Sequence, residues 1–292
     1  MSDPENGAPT IGVLYRQARD RLRAGGIDGA DLDARLLAAA AFGLSPERLF
    51  LHTDDIADHG GVPRLDDFIA RRLAHEPVGR ILGRRDFWDM TLLLSEATLE
   101  PRPDTEILIE TVLEAVEQQG GRGRDWTLAD IGTGTGAILL ALLRELPQAR
   151  GVGVDIALPA LATARLNAAR AGVADRASFV QGNYCDALGP AFDLVVSNPP
   201  YIRSSEIGDL SPEVRQYDPR RALDGGADGL AAYRALALAA SGVLLPQGRL
   251  FVEIGADQAS DVRAIFEACG LVVDKVRRDL AGHDRVLSAR LA

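Results

Sequence analysis

The sequence predicts an α/β protein in which an open, mainly parallel sheet follows a small all-helical domain. Three observations carry that expectation. From about residue 127, short apolar runs alternate with segments of helical period almost to the end of the chain. Before about residue 80 there is helical periodicity but no strand pattern. A glycine-rich turn, Asp130-Ile131-Gly132-Thr133-Gly134-Thr135-Gly136, joins the first strand of the alternating part to its first helix.

In chain order, Ile11, Leu14, Ala18 and Leu22 recur at helical spacing from Thr10 to Ala24, and Gly25-Gly26 stops the run. A second helix is signalled by Asp31 as cap, by Leu32, Leu36, Leu37 and Ala40, and by Gly43 as terminator. Ser45-Pro46 opens a third, with serine as N-cap and proline at the first helical position. A further helix covers Arg64 to His75. Residues 1-80 thus read as a helical N-terminal domain, and their lack of site-like residues suggests a docking or substrate-recognition role.

Arg85 to Trp88 and Thr91 to Ser95 form a β-hairpin within a linker at 81-103, which Pro101-Arg102-Pro103 ends. Asp104 then caps an amphipathic helix carrying Ile107, Leu108, Val112, Leu113 and Val116. Residues 104-292 form the second domain, with strands at Thr127 to Asp130, Arg150 to Asp155, Ala177 to Gln181, Phe192 to Ser197 and Arg249 to Ile254. Helices fill the gaps at Ala137 to Leu146, Pro159 to Ala171, Gly229 to Ala240 and Asp257 to Ala268. Leu271 to Val276 and Arg285 to Leu291 are too close in sequence for a crossover helix between them, so the last strand runs antiparallel.

Bulk properties narrow the function. A length of 292 residues with 47% hydrophobic content supports two domains. A formal charge of -10 argues against a protein that grips a nucleic-acid backbone over a broad surface, which depends on many Lys and Arg contacts. Cys185 and Cys269 are too few for a disulfide framework, and His52, His59, His75 and His283 lack metal-ligand spacing, so no metal is expected. A polar, acidic start and no long apolar run point to a soluble, cytoplasmic protein with no membrane association.

The chemistry concentrates at Asn198-Pro199-Pro200-Tyr201, directly after the apolar run Phe192 to Ser197. Asn-Pro and Pro-Pro pairs mark ordinary loops as well as sites. Two consecutive prolines have no N–H to donate and hold φ fixed, so the Asn198 side chain and the neighbouring carbonyls are rigidly presented. An NH2 group can give one hydrogen to the Asn198 oxygen and the other to a proline carbonyl, while Tyr201 covers its face. The glycine turn lets the backbone approach a ligand closely, and Asp155, at the end of the second strand, is placed to accept hydrogen bonds from a ribose diol. Gly132, Gly134 and Ala137 also satisfy a relaxed dinucleotide-binding fingerprint, but Gly136 and the amide-proline-proline-aromatic turn are not explained by a nicotinamide enzyme.

The glycine loop, Asp155 and Asn198-Pro199-Pro200-Tyr201 together resemble class I S-adenosylmethionine-dependent methyltransferases acting on nitrogen. More narrowly, Glu76-Pro77-Val78 with Ile81-Leu82-Gly83, Pro101 to Glu106, Ala222 to Gly229 and Asp279 to Arg285 resemble the PrmC (HemK) family, which methylates the glutamine of the GGQ motif in peptide chain release factors. The resemblance spans nearly the whole chain. It implies a class I (Rossmann-like) methyltransferase domain with an antiparallel last strand and release factors as partners; from the acidic balance no direct nucleic-acid binding is expected, and a monomer is expected.

It further implies that Gly132, Thr133, Gly134, Thr135 and Gly136 wrap the methionine part of the cofactor, that Asp155 holds the ribose hydroxyls and that Tyr184 lies near the adenine. Asn198, which also borders the cofactor, would grip the substrate glutamine with Pro199, Pro200 and Tyr201; Asn198, Pro199 and Tyr201 would be the catalytic set. Arg102, Thr105 and Glu106 would line the cofactor pocket. One departure is Asn183, where many relatives carry aspartate, a neutral amide in place of an acceptor-only carboxylate. A relative that methylates a ribosomal-protein glutamine, an exocyclic-amine methyltransferase of nucleic acids and a catalytically silent cofactor binder stand as alternatives.

Overall fold

The computed structural model describes residues 8–292, and its contacts divide the chain into two compact units between Gly83 and Arg84. In the first unit, α1 (Ile11–Ala24), α2 (Ala30–Ala41) and α3 (Gly61–Leu73) pack around the fully buried Leu22, Leu37, Leu49 and Ile69, and a short α4 (Val78–Leu82) follows. Thr10 caps α1, its hydroxyl accepting from the Val13 N–H.

Two sequence expectations fail in this unit. The N-cap of α2 is Gly29 in a left-handed conformation, not Asp31, whose carboxylate lies in the first turn and pairs with Arg23 at 2.6 Å. Ser45-Pro46 opens no α-helix; the segment is turn followed by one 3₁₀ turn, Leu49–His52. Only Leu49 of that segment reaches the core while Phe50 and Leu51 remain exposed, so no helical stripe is available to bury.

The second unit begins with a hairpin of β1 (Arg84–Phe87) and β2 (Met90–Leu93), then a 3₁₀ turn over Pro103–Thr105 and α5 (Glu106–Gln119). Asp104 is therefore not the cap of α5; it faces Arg285 at 3.4 Å. The sheet consists of β3 (Thr127–Ile131), β4 (Arg150–Asp155), β5 (Ala177–Gln181), β6 (Phe192–Ser197), β7 (Leu244–Glu253), β8 (Leu271–Arg278) and β9 (Asp284–Leu291), in the order β5-β4-β3-β6-β7-β9-β8. β9 pairs antiparallel with both neighbours, and the pairs from β5 to β7 are parallel.

The connecting helices are α6 (Ala137–Glu145), α7 (Leu158–Arg170), the short α8 (Pro212–Tyr217), α9 (Ala231–Val243) and α10 (Ala259–Ala268). Residues alternate between the faces of the sheet: Leu194 and Val196 join one core with α5 and α6, while Val195, Leu250 and Val252 join another with α9 and α10. Covering both faces explains why the central strands β3 and β6 are buried along nearly their whole length. Among the described residues no helix is long and apolar enough to cross a membrane.

α6, which follows the glycine turn, is held at its far end by Arg176. The guanidinium donates to the carbonyl of Leu143 in the last turn of α6 and to those of Leu146 and Ala149 just beyond it, at 2.7, 3.0 and 2.9 Å. Arg176→Met should lower stability by about 1–3 kcal/mol, read by urea denaturation, because these part-buried carbonyls lose a charged donor.

Candidate active site

Strand register sets the level of the site. Ile131 pairs with Val154 on one side and with Ser197 on the other, and Ser197 pairs with Val252. The next residues, Gly132, Asp155, Asn198 and Glu253, therefore form a row along the carboxyl edge of four adjacent strands. The row spans the point where the chain order reverses: β4 and β5 extend the sheet on one side of β3, β6 and β7 on the other. Open sheets bind ligands in that crevice.

A cavity of about 480 Å³ is lined there by Gly132, Thr133, Gly134 and Thr135, by Asp155, Asn183 and Tyr184, and by Asn198, Pro199 and Pro200, with Arg102 and Thr105 also on its wall. Residues separated widely in sequence thus share one space. Gly136, Tyr201 and Glu106 do not line it. Gly136 lies under the loop as the left-handed N-cap of α6, where an added Cβ would meet Leu140 at 3.1 Å. The Glu106 carboxylate accepts from the Trp88 N–H at 3.0 Å.

The loop is a sequence of forced turns. Gly132, Gly134 and Gly136 have φ of +77°, +54° and +84°, conformations that side chains resist. The Gly132 and Thr133 N–H groups both donate to the Val154 carbonyl, at 2.8 and 2.9 Å, which ties the loop to the neighbouring strand. Asp155 accepts from the Gly134 N–H at 3.0 Å and from the Ala157 N–H at 2.8 Å, one bond on each oxygen, so each keeps a further lone pair. Tyr184 holds a half-buried ring at the cavity with φ of +49°, a costly conformation for a residue with a bulky side chain.

At the other end of the row the Asn198 Nδ2 donates to the Thr105 hydroxyl at 3.0 Å, and that hydroxyl donates to the Glu253 carboxylate at 2.7 Å. The Asn198 Oδ1 takes no part in this chain. Burial pushes the Glu253 carboxyl up to about 7, against the opposing effects of the Thr105 hydroxyl, Arg285 and the Asn198 amide. Asp130, one residue before the end of β3, is also driven up to about 7 by burial; its Oδ2 accepts from the Thr133 hydroxyl at 2.7 Å.

The corner is braced from behind. The Gln258 amide donates to the Tyr201 carbonyl at 2.9 Å and to the Gly229 carbonyl at 3.3 Å, while the Tyr233 hydroxyl donates to the Glu253 carbonyl at 3.0 Å. Tyr201 packs against the core on the α9 side of the sheet, and its burial pushes the phenol up to about 12. The segment Leu223 to Gly229 lies directly against the corner: Ile202 N–H donates to the Leu223 carbonyl at 3.0 Å and Gly225 N–H to the Ile202 carbonyl at 2.8 Å. A Cβ at Gly225 would stand 2.8 Å from both the Pro200 carbonyl oxygen and the Tyr201 Cα. That approach is why the segment carries glycine.

Sequence reasoning did not find Glu253 or its link to Thr105. The available signal was a carboxylate closing the apolar run Leu250-Phe251-Val252, where burial of a charge requires a partner.

A sheet with this strand order, three left-handed glycines after β3, a carboxylate after β4 and an amide-proline corner after β6 defines a class I methyltransferase. Residues 14–83 match the family model described as the PrmC N-terminal domain, and residues 102–211 match the methyltransferase small domain. The chain belongs to the release factor glutamine methyltransferase family. It is 48% identical over 291 residues to the release factor glutamine methyltransferase of Bradyrhizobium diazoefficiens, covering 99% of this chain and 97% of that protein. It is 46% identical to that of Rhodospirillum rubrum, covering 99% and 87%. Among solved structures, the hMettl16 catalytic domain in complex with MAT2A 3'UTR hairpin 6 is similar in fold, with a TM-score of 0.53 and 12% identity over 70% of this chain and 76% of that one.

Two outcomes follow from the geometry. Gly225→Ala should lower stability by about 1–3 kcal/mol, measured by thermal or urea unfolding, because its φ is ordinary and the clash with the corner acts alone. Stability should also depend on Glu253 and Asp130. Both carboxyls bind protons more tightly folded than unfolded, so the stability they contribute is complete below their unfolded values of 4.5 and 3.8 and is lost as pH rises through about 7. The melting temperature should therefore fall between about pH 5 and pH 8, and more gently in Glu253→Gln, which leaves one raised carboxyl instead of two.

Proposed function

We propose that this chain transfers a methyl group from S-adenosylmethionine to the side-chain amide nitrogen of the glutamine in the GGQ motif of peptide chain release factors. The observation that carries the reading is the shared cavity: the glycine loop, Asp155 and the Asn198-Pro199 corner line one space, beside an Asn198 oxygen left out of the internal bonding. Near-full-length identity to release factor glutamine methyltransferases supports the substrate class.

The residues present fit the donor. A cavity of about 480 Å³ suits a cofactor of that size. Asp155 keeps lone pairs for ribose hydroxyls, Tyr184 offers an aromatic face for an adenine, and Gly132 to Gly136 allow close approach to the amino-acid end. Arg102, tied to the buried Asp218, adds a cation to the cavity wall. When bound, this cofactor supplies an electrophilic methyl on a sulfonium.

The protein's part is to hold the acceptor. An amide nitrogen is a weak nucleophile because its lone pair is shared with the carbonyl. The Asn198 Oδ1 and the Pro199 carbonyl accept the two hydrogens of the substrate NH2, favour the electron distribution that leaves charge on nitrogen, and fix that nitrogen in one orientation. Pro199 and Pro200 keep both acceptors from moving. Tyr201, anchored through its carbonyl and packed inward, stiffens the corner. The helical N-terminal domain is the platform for the release factor, and the reaction belongs to the cytoplasm.

Incubation with labelled S-adenosylmethionine and purified release factors, followed by mass spectrometry of the tryptic GGQ peptide, should show one added methyl on the glutamine; an unmodified peptide would exclude the assignment. Asn198→Ala should reduce kcat by roughly 10²–10³-fold with cofactor affinity nearly unchanged. Asp155→Ala should weaken cofactor binding first, by roughly ten- to a hundredfold in Kd by titration calorimetry, the worth of one or two charge-assisted hydrogen bonds.

A further inference from the structure

The row along the carboxyl edge holds a fourth member for which the cofactor and substrate contacts leave no use. Glu253 follows Val252 on β7, one strand beyond Asn198, and is 2% exposed. Thr105, 4% exposed, stands between them, accepting from the Asn198 Nδ2 at 3.0 Å and donating to the Glu253 Oε2 at 2.7 Å. We propose that Glu253 is a positioning residue which, through the Thr105 hydroxyl, sets which way round the Asn198 carboxamide lies.

Proton counting fixes the orientation. An ionised carboxylate only accepts, so it takes the single proton of the Thr105 hydroxyl. The hydroxyl is left with lone pairs toward Asn198, and only the NH2 end of the carboxamide can satisfy them. The Oδ1 is thereby the end that remains for the cavity. Without this relay the two ends of the amide are nearly equal in shape, and a half-turn about its last torsion would present an NH2 where an acceptor is needed. A substrate NH2 facing that group would find no hydrogen-bond partner, and a buried donor without an acceptor is expensive. The Asn198 amide also acts directly on Glu253, which favours the same orientation, and Thr105 adds a hydroxyl link between the two without placing the charge in the cavity, whose wall includes Thr105 and not Glu253.

The inference rests on the reading that the corner receives a carboxamide, and the test separates the two. Thr105→Val removes the hydroxyl at nearly constant shape, Thr105→Ser keeps it, and Glu253→Gln replaces an acceptor-only group by one that can also donate. At about pH 8.5, above the raised Glu253 value, T105V and E253Q should lose roughly ten- to a hundredfold in kcat, T105S should recover most of the activity that T105V loses, and Kd for S-adenosylhomocysteine should change by less than about twofold in E253Q, whose side chain lies outside the cavity wall. The Asn198 side-chain NH2 pair in ¹⁵N–¹H spectra, identified by its loss in Asn198→Asp, should shift and broaden in T105V and E253Q and keep its position in T105S.

Unchanged kcat together with unchanged amide resonances in T105V and E253Q would overturn the proposal. So would a loss of kcat that follows product affinity and folded fraction downward in parallel, since that marks support of the fold alone. If the parent protein methylates no release factor, the assigned function fails, and the amide resonances still decide whether the relay orders Asn198.

Discussion

The parallel register of β4, β3, β6 and β7 is the constraint on which the rest depends. Each strand contributes the residue after the matched Val154, Ile131, Ser197 and Val252, and the four arrive at one level: Asp155, Gly132, Asn198 and Glu253. A slip of one residue would exchange the faces of the sheet and send the Asp155, Asn198 and Glu253 side chains toward the opposite face. The apolar alternation of Leu194, Val195 and Val196, with both faces buried, makes that slip costly. Site geometry is thus maintained by the same burial that stabilises the sheet.

Stiffness at the corner has two sources that act at different ranges. The two prolines limit the backbone locally, and the Leu223 to Gly229 segment limits it from outside, through bonds to Ile202 and the Gln258 bridge to Tyr201. Glycine at 225 and 229 is what lets one backbone lie on another; at Gly229 a Cβ would stand 2.5 Å from the Tyr201 carbonyl oxygen. Under the proposed function, an acceptor pair held in this way would lose little freedom on receiving a substrate amide, which is the physical advantage of building it on a braced turn.

Two carboxyls in the interior of an apolar sheet oppose stability above neutral pH, yet each is tied to a residue that shapes the cavity. Asp130 holds the Thr133 hydroxyl of the glycine loop, and Glu253 holds the Thr105 hydroxyl beside Asn198. In both cases a buried acceptor orders a threonine, and the threonine faces the cavity. Each carboxyl stays behind the cavity wall while the hydroxyl it orders stands on it.

Local signals were sufficient for much of this. Periodicity marked the sheet strands and their connecting helices, the short link before Arg285 required an antiparallel last strand, and glycines, a strand-end aspartate and paired prolines marked three parts of the cavity wall, because each is a property of a few consecutive residues. Short-range signals also misled: Ser45-Pro46 has the chemistry of a helix start but lacks a stripe to bury, and Asp31 found Arg23 rather than an N-cap position. What only the tertiary structure decided is how distant residues meet. Thr105 reaches Glu253 across 148 positions and Asn198 across 93, Tyr201 turns into the core, and Gly136 lies under its loop. The sequence by itself determined the pieces and their order, since backbone preference and apolar period act within a segment. Their common level and mutual bonding come from strand register and burial, which act between segments and leave no pattern along the chain.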